Sequence, residues 1–436
     1  MGSKTTLDVC IGSAELSVGT LTYVDDGARS YSSFTYKDEW LQNPHRFNVS
    51  PDLELLAGQY QVRKAPAKED STFHFAFADT EPDAWGRRVI ARAHAKARKK
   101  DPQLKALTEL DTLCAVDDFS RMGALRLRDD KGNYLRTTPA GGRVAPPLLE
   151  LERVMDACRA VERSKESAED LRYLLGNGTS LGGMRPKSTV LDTDGTLALG
   201  KFPSVDDTRS VTRGEVLALR LAQKAGIDAA KSRIEMIAGK PVAIVTRFDR
   251  TATNARIPYL SGASMLQASR GDEHAYTEIV DIMNSVCLDA KADVQQLWRR
   301  LVFNLLITNA DDHLHNIGFL HVGNDKWTLS PAFDLNPFPD KNRESKTWLS
   351  EDTGPIDSVQ QLLDKAAYFY LDQTQAHAIL AEVLAAIADW RHVALSKEVG
   401  LIQKELADFS PAFEHETMDT AIVAIASLQA PDPRPT

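Results

Sequence analysis

The sequence contains few cysteines and no long hydrophobic run. Only four cysteines occur among the 436 residues, and they are far apart, with no Cys-x-x-Cys pair. This spacing argues against a disulfide framework or a structural zinc site and indicates reduced thiols in a cytoplasmic protein. No apolar run reaches transmembrane length and no signal peptide opens the chain, so we expect no membrane association.

The chain also lacks an excess of positive charge. Its formal net charge of −9 argues against a general affinity for nucleic acid or for membrane surfaces. A hydrophobic content of 43% and a charged content of 26% are typical of a globular protein. The length allows two or three domains with sizeable cores, and the sequence shows no internal repeat.

The hydrophobic patterns predict a first half that is rich in strands and a second half that is almost wholly helical after Pro258. The predicted strands lie at residues 7–11, 16–23, 33–36, 188–191, 196–202, 232–237 and 241–245. The predicted helical regions lie at residues 73–127, 148–175, 214–225, 276–287, 293–307, 359–370 and 374–409. The predicted domains are residues 1–147, 148–250 and 251–430, followed by a disordered tail at residues 431–436.

Residues 305–338 carry the strongest chemical signal in the sequence. A helix-like apolar run leads into a polar cluster that contains Asn309, Asp311, Asp312, His313 and Asn316. A predicted hairpin at residues 317–329 follows, and Asp334 comes soon after it between two apolar residues. The hairpin can bring the two polar segments together although they are separated in sequence.

These are the groups that phosphoryl transfer needs. One carboxylate must accept the proton of the attacking hydroxyl, and further oxygen ligands must hold Mg²⁺. We therefore predict Asp311 as the catalytic base and Asn316 and Asp334 as Mg²⁺ ligands. An Asn- and Asp-rich turn with ordinary capping roles is one alternative. Another is a metal-dependent phosphoesterase that uses Asp311, Asp312 and His313.

A second signal is a glycine-rich loop that precedes two predicted strands. Its glycines allow backbone amides to approach phosphates closely, although a flexible turn would have the same composition. It is not a Walker A loop, because no Gly-Lys-Ser/Thr follows at the required position. The loop residues that we expect to contact a nucleotide are Gly178, Thr179, Ser180, Gly182 and Gly183.

The segments after this loop extend the prediction of a nucleotide site. Lys201 ends the second strand, where its ammonium group can reach the α- or β-phosphate. Glu215, near the start of the next helix, is predicted to position that lysine. Alternatively, Lys201 is a charge that keeps an edge strand soluble, and Glu215 is an acidic residue that stabilises the first turn of its helix. The polar segment that begins at Thr246 and includes Phe248 is predicted to be a hinge between lobes, where backbone groups meet the adenine.

Together these motifs resemble the HipA-type serine/threonine kinases, the toxins of bacterial toxin–antitoxin pairs. The resemblance covers nearly the whole chain. Arg247-Phe248-Asp249-Arg250 is similar to the hinge motif of that family, Asp311-x-His313-x-x-Asn316 to its catalytic motif, and Phe333-Asp334 to its metal-binding motif. The resemblance implies an α+β, two-lobed, protein-kinase-like fold with a β-rich N-terminal lobe and an all-helical C-terminal lobe.

The resemblance also implies an activity and partners. It implies an ATP- and Mg²⁺-dependent kinase that phosphorylates its own loop at Ser180 or Thr179. It also implies that Lys187, seven residues after Ser180, and Lys201 both contact the nucleotide, Lys201 at its phosphates. It implies a protein substrate such as an aminoacyl-tRNA synthetase. It further implies a small DNA-binding antitoxin of the HipB type as a partner. The chain would contact DNA only indirectly, through this antitoxin. A regulator that acts through such an antitoxin–DNA complex without phosphotransfer is a further alternative.

The sequence departs from the family at three places. The loop reads Gly183-Met184-Arg185-Pro186-Lys187, and Asp312 adds a second carboxylate beside the predicted base. His315 stands where a lysine is common in the family. A metal site formed by His313, His315 and His321 is an alternative to the Mg²⁺ site, but oxygen ligands favour Mg²⁺.

Overall fold

The computed structural model describes residues 3–12, 16–27, 29–63, 71–136, 145–176, 183–269, 271–339 and 344–429. The chain forms two compact units. The first comprises residues 1–207, 235–272 and 319–326, and the second comprises residues 208–234, 273–318 and 327–436. The predicted tail at residues 431–436 lies outside the described residues.

The N-terminal part of the first unit is built on an antiparallel sheet of the order β4-β3-β2-β1-β5. Its elements are β1 (Ser3–Ile11), β2 (Leu16–Asp25), β3 (Ser30–Tyr36), α1 (Asp38–Leu41), β4 (Tyr60–Arg63), α2 (Phe75–Ala78), α3 (Ala84–Lys100), α4 (Glu109–Cys114) and β5 (Leu125–Arg128). The first three strands follow the predicted alternation, because Val9, Leu21 and Phe34 turn into the core. The prediction that residues 73–127 are mainly helical missed β5, which pairs with the distant strand β1.

The next part of the chain carries a second sheet, of the order β6-β7-β9-β8. Its elements are a 3-10 turn (Leu148–Glu150), α5 (Leu151–Glu162), α6 (Ala168–Gly176), β6 (Lys187–Leu191), β7 (Leu197–Lys201), α7 (Val211–Lys224), β8 (Ser232–Ile237), β9 (Lys240–Thr246), β10 (Tyr259–Ser261) and α8 (Gly262–Leu266). One buried cluster joins this sheet to α3, α5 and α6 through Trp85, Val154, Cys158, Val190 and Ile244. The sheet and the helices that cover it therefore share one hydrophobic core.

The remaining chain is mainly helical but includes two short hairpins. Its elements are α9 (Tyr276–Val286), α10 (Ala290–Leu306), a 3-10 turn (Leu314–Asn316), β11 (Gly318–Gly323), β12 (Lys326–Leu329), β13 (Trp348–Ser350), β14 (Gly354–Pro355), α11 (Val359–Asp364), a 3-10 turn (Ala366–Phe369), α12 (Gln373–Ala388), α13 (Trp390–Leu395), a 3-10 turn (Gln403–Glu405), α14 (Leu406–Phe413) and α15 (Glu416–Gln429).

The predicted helical region at residues 374–409 is mainly helical, but the chain divides it into α12, α13 and the start of α14. The first break falls at Asp389, which follows the last residue of α12 and precedes the first of α13. A later break contains Gly400, whose φ of +71° a helix cannot accommodate. The buried face at Leu380, Val383 and Leu384 is as the spacing predicts.

The structure also bears on the predicted thiols and on membrane crossing. The four cysteines carry free thiols, of which three are buried and Cys114 is half-buried. Within the described ranges, no helix combines the length and the hydropathy that a membrane crossing requires. The predicted domain boundaries at residues 147 and 250 stay predictions.

Candidate active site

Asp311 and Asp312 are adjacent carboxylates of the predicted catalytic segment, residues 309–316, and they lie in different environments. The Asp311 side chain is 35% exposed, whereas the whole Asp312 residue is 4% exposed. Both follow α10, whose buried face anchors the segment, and both precede the 3-10 turn at Leu314–Asn316. A reacting hydroxyl can approach Asp311, while Asp312 points into the protein.

Asp312 is engaged in internal hydrogen bonds. The Tyr276 hydroxyl donates to Asp312 Oδ2 at 2.8 Å, and the backbone amide of Lys346 donates to Asp312 Oδ1 at 2.7 Å. The Thr347 hydroxyl donates to the Asp312 carbonyl at 2.8 Å. Burial raises the pKa of the Asp312 carboxyl, although these hydrogen bonds oppose the shift. Asp312 thus fastens α9 and the segment at residue 346 to the catalytic segment.

Asp311 has polar neighbours on its exposed side. Its carboxylate forms an ion pair with the Lys346 ammonium group, and His313 Nε2 lies 4.0 Å from Asp311 Oδ1. The Asn316 side-chain amide donates to the Asp311 carbonyl at 2.8 Å. This bond closes the turn between the predicted base and the predicted metal ligand and fixes their relative position.

Asp334 lies between a backbone hydrogen bond of Ala332 and a side-chain hydrogen bond from Asn336. Two residues earlier, the amide of Ala332 donates to the Asp228 carbonyl at 2.7 Å. The Asn336 side chain donates to Asp334 Oδ1 at 3.3 Å. Asp334 has a φ of +55°, a left-handed conformation that costs roughly 1–3 kcal/mol in a residue other than glycine. Such strain persists where the surrounding structure imposes a particular side-chain direction.

Two residues join the Asp311 segment to the Asp334 segment. Asn309 Oδ1 accepts a hydrogen bond from the Asn336 amide at 3.3 Å, and the Thr308 hydroxyl donates to the Phe338 carbonyl at 3.3 Å. Asn309 is 5% exposed, and its Nδ2 donates to Asn304 Oδ1 at 3.1 Å. The sequence shows Asn309 as part of the polar cluster, but its linking role depends on a partner 27 residues away.

The donor set suits a hard divalent cation. The amide oxygen of Asn316 and the carboxylate of Asp334 belong to segments that the Asn309–Asn336 bond holds together, and oxygen ligands are those that Mg²⁺ prefers. Among the described residues, no group of three His, Cys, Asp or Glu side chains is arranged to hold a metal ion. The three-histidine alternative therefore gains no support from the structure.

The glycine-rich loop lies only partly within the described residues. Gly178, Thr179, Ser180 and Gly182 lie outside them. The Gly183 carbonyl accepts a hydrogen bond from the Trp85 amide at 3.3 Å, and Gly183 has a φ of +93°. A Cβ atom at Gly183 would lie 2.8 Å from Lys187 Nζ, so a larger residue would displace the lysine ammonium group and would also adopt a strained φ.

Lys187 and Lys201 lie opposite each other on neighbouring strands. They are register partners in the antiparallel pair β6–β7, so their side chains leave the same face of the sheet about 5 Å apart. Lys187 Nζ lies 3.4 Å from Asp83 Oδ2, and both side chains are almost fully buried. Asp83 also caps α3 by accepting from the Gly86 amide at 2.6 Å. Lys187 therefore has an internal anionic partner, while Lys201 is half-buried.

Glu215 lies on α7 and is 4% exposed. It belongs to the second compact unit, whereas Lys201 belongs to the first. The predicted pairing of Lys201 with Glu215 stays a prediction.

The predicted hinge segment contains a buried ionic network. Asp249 is 1% exposed and pairs with Arg247 at 2.6 Å and with Arg250 at 2.7 Å. Its Oδ2 also accepts a hydrogen bond from the Gly123 amide at 2.7 Å. Burial alone would raise the pKa of Asp249, but the two guanidinium groups hold it below its usual range.

The two arginines extend this network to the loop before β5. Arg247 donates to the Ser120 carbonyl at 2.6 Å, and Arg250 donates to the Arg121 carbonyl at 2.8 Å and to the Gly123 carbonyl at 3.0 Å. The charged residues of the motif thus fasten the end of β9 to residues 119–123. Thr246 and Phe248, which we predict at the nucleotide, are both half-buried beside this network.

Two family models match this chain. A sequence model of the HipA N-terminal domain matches residues 7–128, and a model of the HipA-like C-terminal domain matches residues 179–391. This chain is a member of the HipA family. The predicted HipA-type α+β fold is also confirmed by a solved structure, that of the Shewanella oneidensis toxin–antitoxin complex of HipA, HipB and operator DNA. The match to that HipA-type structure has a TM-score of 0.65 at 15% identity and covers 97% of each chain, which shows the shared fold.

Two curated proteins are similar in sequence to this HipA-type chain. The first, described as a candidate kinase named Y4mE, comes from Sinorhizobium fredii and is 24% identical over 323 residues. That match covers 69% of this chain and 71% of the relative. The second, a candidate kinase from Haemophilus influenzae, is 23% identical over 187 residues and covers 37% of this chain and 54% of the relative.

Proposed function

We propose that this HipA-type chain is an ATP- and Mg²⁺-dependent serine/threonine protein kinase. The observation that carries the proposal is the linked arrangement of Asp311, Asn316 and Asp334 in the second unit. The Asn316 side chain donates to the backbone carbonyl of Asp311, whose carboxylate is accessible. The bond from the Asn336 amide to Asn309 holds the segment that carries Asp334 beside them. The two related proteins described as candidate kinases support the same reaction class.

The proposed mechanism assigns one role to each of these groups. The hydroxyl oxygen of a substrate serine or threonine attacks the γ-phosphorus of ATP, and the bond to the bridging oxygen breaks, so that ADP leaves with the electron pair. Asp311 accepts the hydroxyl proton. Asn316 and Asp334 would hold Mg²⁺, which when bound neutralises charge on the phosphates. His313 lies beside Asp311, where it can contact the substrate hydroxyl.

The residues proposed for nucleotide binding belong to the first unit. Lys201 provides a cation at the end of β7 in the same register as Lys187. Lys187 already has Asp83 as a partner, so we assign it the positioning of the glycine loop through Gly183 and keep Lys201 as the phosphate contact. Glu215 is proposed to orient Lys201, and the backbone at Thr246 and Phe248 to meet the adenine.

We further propose that the kinase modifies its own glycine loop at Ser180 or Thr179. A phosphate at either residue adds about −1.5 to −2 charges to a loop that must accept the phosphates of ATP, and it would therefore repel them. The modification would switch the enzyme off. The free thiols of the four cysteines fit a cytoplasmic kinase.

The proposed partners follow from the family. The Shewanella complex contains HipB and operator DNA, which supports a small DNA-binding antitoxin as the partner of this chain. Contact with DNA would then be indirect, in keeping with the net charge of −9. An aminoacyl-tRNA synthetase is the substrate class that the family resemblance favours.

An intact-mass measurement tests the proposal. The purified chain is weighed before and after incubation with Mg-ATP, the site is mapped, and the Asp311→Gln variant serves as the control. We expect one added phosphate on Ser180 or Thr179 in the parent chain and none in the variant.

Two other results would contradict the kinase assignment. Hydrolysis of a phosphomonoester without nucleotide would indicate the phosphoesterase alternative, against which the internal engagement of Asp312 argues. Tight binding of an antitoxin without phosphotransfer or ATP binding would indicate a regulator.

A further inference from the structure

The sequence around Asp311 contains no lysine or arginine. Residues 301–325 include neither lysine nor arginine. The structure nevertheless brings one ammonium group to the predicted base, because Lys346 forms an ion pair with Asp311 from 35 residues further along the chain. Both residues belong to the second unit.

The position of Lys346 is fixed by its backbone, while its side chain extends into solvent. Its amide donates to Asp312 Oδ1 at 2.7 Å, and the neighbouring Thr347 hydroxyl donates to the Asp312 carbonyl at 2.8 Å. The Trp348 amide donates to the His274 carbonyl at 2.9 Å. The Lys346 side chain is 55% exposed, so its ammonium group can turn from Asp311 towards a bound substrate. Asp312 is thus a positioning residue for Lys346.

We propose that Lys346 is a further catalytic residue, whose ammonium group contacts the phosphoryl group during transfer. The inference rests on the proposed kinase function and deepens it. A hydroxyl held by the base lies about 2.6–3.2 Å from the Asp311 carboxylate. Its oxygen lies about 3–3.5 Å from the phosphorus that it attacks. A lysine that touches Asp311 is therefore within reach of the oxygens of the transferred group.

The chemistry of the step calls for such a cation. As the bond from the hydroxyl oxygen to phosphorus forms and the bond to the ADP oxygen breaks, negative charge spreads over three equatorial oxygens. The proton passes to Asp311 and the electron pair leaves with ADP, so Lys346 neither gains nor loses a proton. Its fixed positive charge stabilises the transition state more than the ground state, and interactions of this kind accelerate the chemical step.

The second unit also contains a comparable lysine–aspartate ion pair that does not involve Asp311. Lys365 Nζ lies 2.9 Å from Asp352 Oδ1, and that lysine is likewise partly exposed. Its partner is none of the residues proposed for catalysis. Removal of the Lys365 charge is therefore a control for the loss of one lysine and one surface ion pair.

The test compares Lys346→Met, Lys346→Arg and Lys365→Met in the full chain. The measurements are the single-turnover rate of phosphotransfer, the affinity for Mg-ADP with and without aluminium fluoride, and the melting temperature. We expect Lys346→Met to lower the rate about 10²–10³-fold. Its Mg-ADP affinity and melting temperature should be unchanged, but the tighter binding that aluminium fluoride induces should be lost. Lys346→Arg should recover part of the rate, and Lys365→Met should behave like the parent chain.

Several outcomes would overturn the inference. An unchanged rate in Lys346→Met would show that the ion pair is structural, and a higher rate would show that Lys346 blocks the base instead. Loss of rate together with a lower melting temperature, and with aluminium fluoride still tightening ADP binding, would also refute a contact with the transferred group. A parent chain that neither transfers phosphate nor binds ADP would refute the proposed function itself, which is a distinguishable result.

Discussion

Asp249 and Asp311 each lie beside positively charged side chains, but their surroundings differ. The Asp249 side chain is 1% exposed and interacts with two arginines and one backbone amide. The Asp311 side chain is 35% exposed and interacts with a lysine that is itself largely exposed. In the first network the charges are satisfied within the protein. In the second the carboxylate remains accessible, which is what a reaction requires.

This comparison separates two motifs that look equally functional in the sequence. Both are short, rich in charge and placed directly after an apolar element. A buried carboxylate whose removal leaves two guanidinium groups unpaired contributes to folding. An exposed carboxylate with an exposed partner contributes little to stability, since exposed ion pairs are worth about 0–1 kcal/mol. The predictions below test that division, from the largest expected effect to the smallest.

The largest effect is expected at Asp311. Replacement by glutamine removes the proton acceptor and should lower phosphotransfer about 10²–10⁴-fold with little change in the free energy of unfolding. Rate measurements and denaturant titrations on the same preparation check both parts. Retained transfer would remove the assignment of Asp311 as the base.

A large loss of stability is expected at Asp249. In Asp249→Asn, two buried arginines lose their counter-charge, and the free energy of unfolding should fall by about 3–5 kcal/mol. Chemical denaturation of the variant and of the parent chain measures this loss of free energy. A loss below about 1 kcal/mol, the range of exposed pairs, would refute the division between the two networks.

The same residue predicts a dependence of stability on pH. The pKa of Asp249 is lowered in the folded protein, so the folded state resists protonation more than the unfolded state, in which the value is 3.8. Its contribution to stability is therefore complete above that value and declines as the pH falls towards the folded pKa. Unfolding measured between about pH 5 and 2.5 should show a shallower acid loss in Asp249→Asn than in the parent chain. Parallel pH profiles would contradict this.

An intermediate effect is expected at Asp312. In Asp312→Asn, one of the two donors that meet its carboxylate, Tyr276 or the Lys346 amide, faces an NH₂ group, so stability should fall by about 1–3 kcal/mol. Transfer should also decrease, because Lys346 loses its fixed position. Thermal melting and rate measurements distinguish this pattern from that of Asp311→Gln. A variant that loses transfer at full stability would instead indicate that Asp312 takes part in the chemistry.

The smallest effect is expected at the exposed pair of Lys224 and Asp389, whose side chains are 46% and 43% exposed. Lys224→Met should change the free energy of unfolding by less than about 1 kcal/mol. This variant provides the baseline for the other three.

The sequence predicted the fold where the relevant contacts are local. The hairpin at β11–β12, the positions of the four strands between residues 187 and 246 and the helix α9 are close to the predictions. Strand β5 was missed because its partner β1 lies more than 100 residues away. The division of the predicted helical region at residues 374–409 depends on the break at Asp389 and on the turn around Gly400, and hydrophobic spacing shows neither.

The candidate site was predictable to a similar extent. The motif offsets identified Asp311 and Asn316, which the structure joins by a bond within the same turn. The link from Asn309 to Asn336 and the approach of Lys346 connect residues 27 and 35 positions apart, for which no local pattern exists. The pairing of Lys187 with Asp83 spans 104 residues and changed our assignment of that lysine.

The bonds between the end of β9 and residues 119–123 bear on how this protein can be divided. The family models match its N-terminal and C-terminal parts separately, at residues 7–128 and 179–391. A chain that begins after residue 128 would nevertheless leave Arg247 and Arg250 without the carbonyl groups to which they donate. Both arginines would keep Asp249 as a partner, but each would lose the bonds that these carbonyl groups accept, which lowers the stability of the fold. The gap between the two family models therefore does not separate parts that fold independently. The N-terminal part carries no proposed catalytic residue, but it supports the segment proposed to bind the nucleotide.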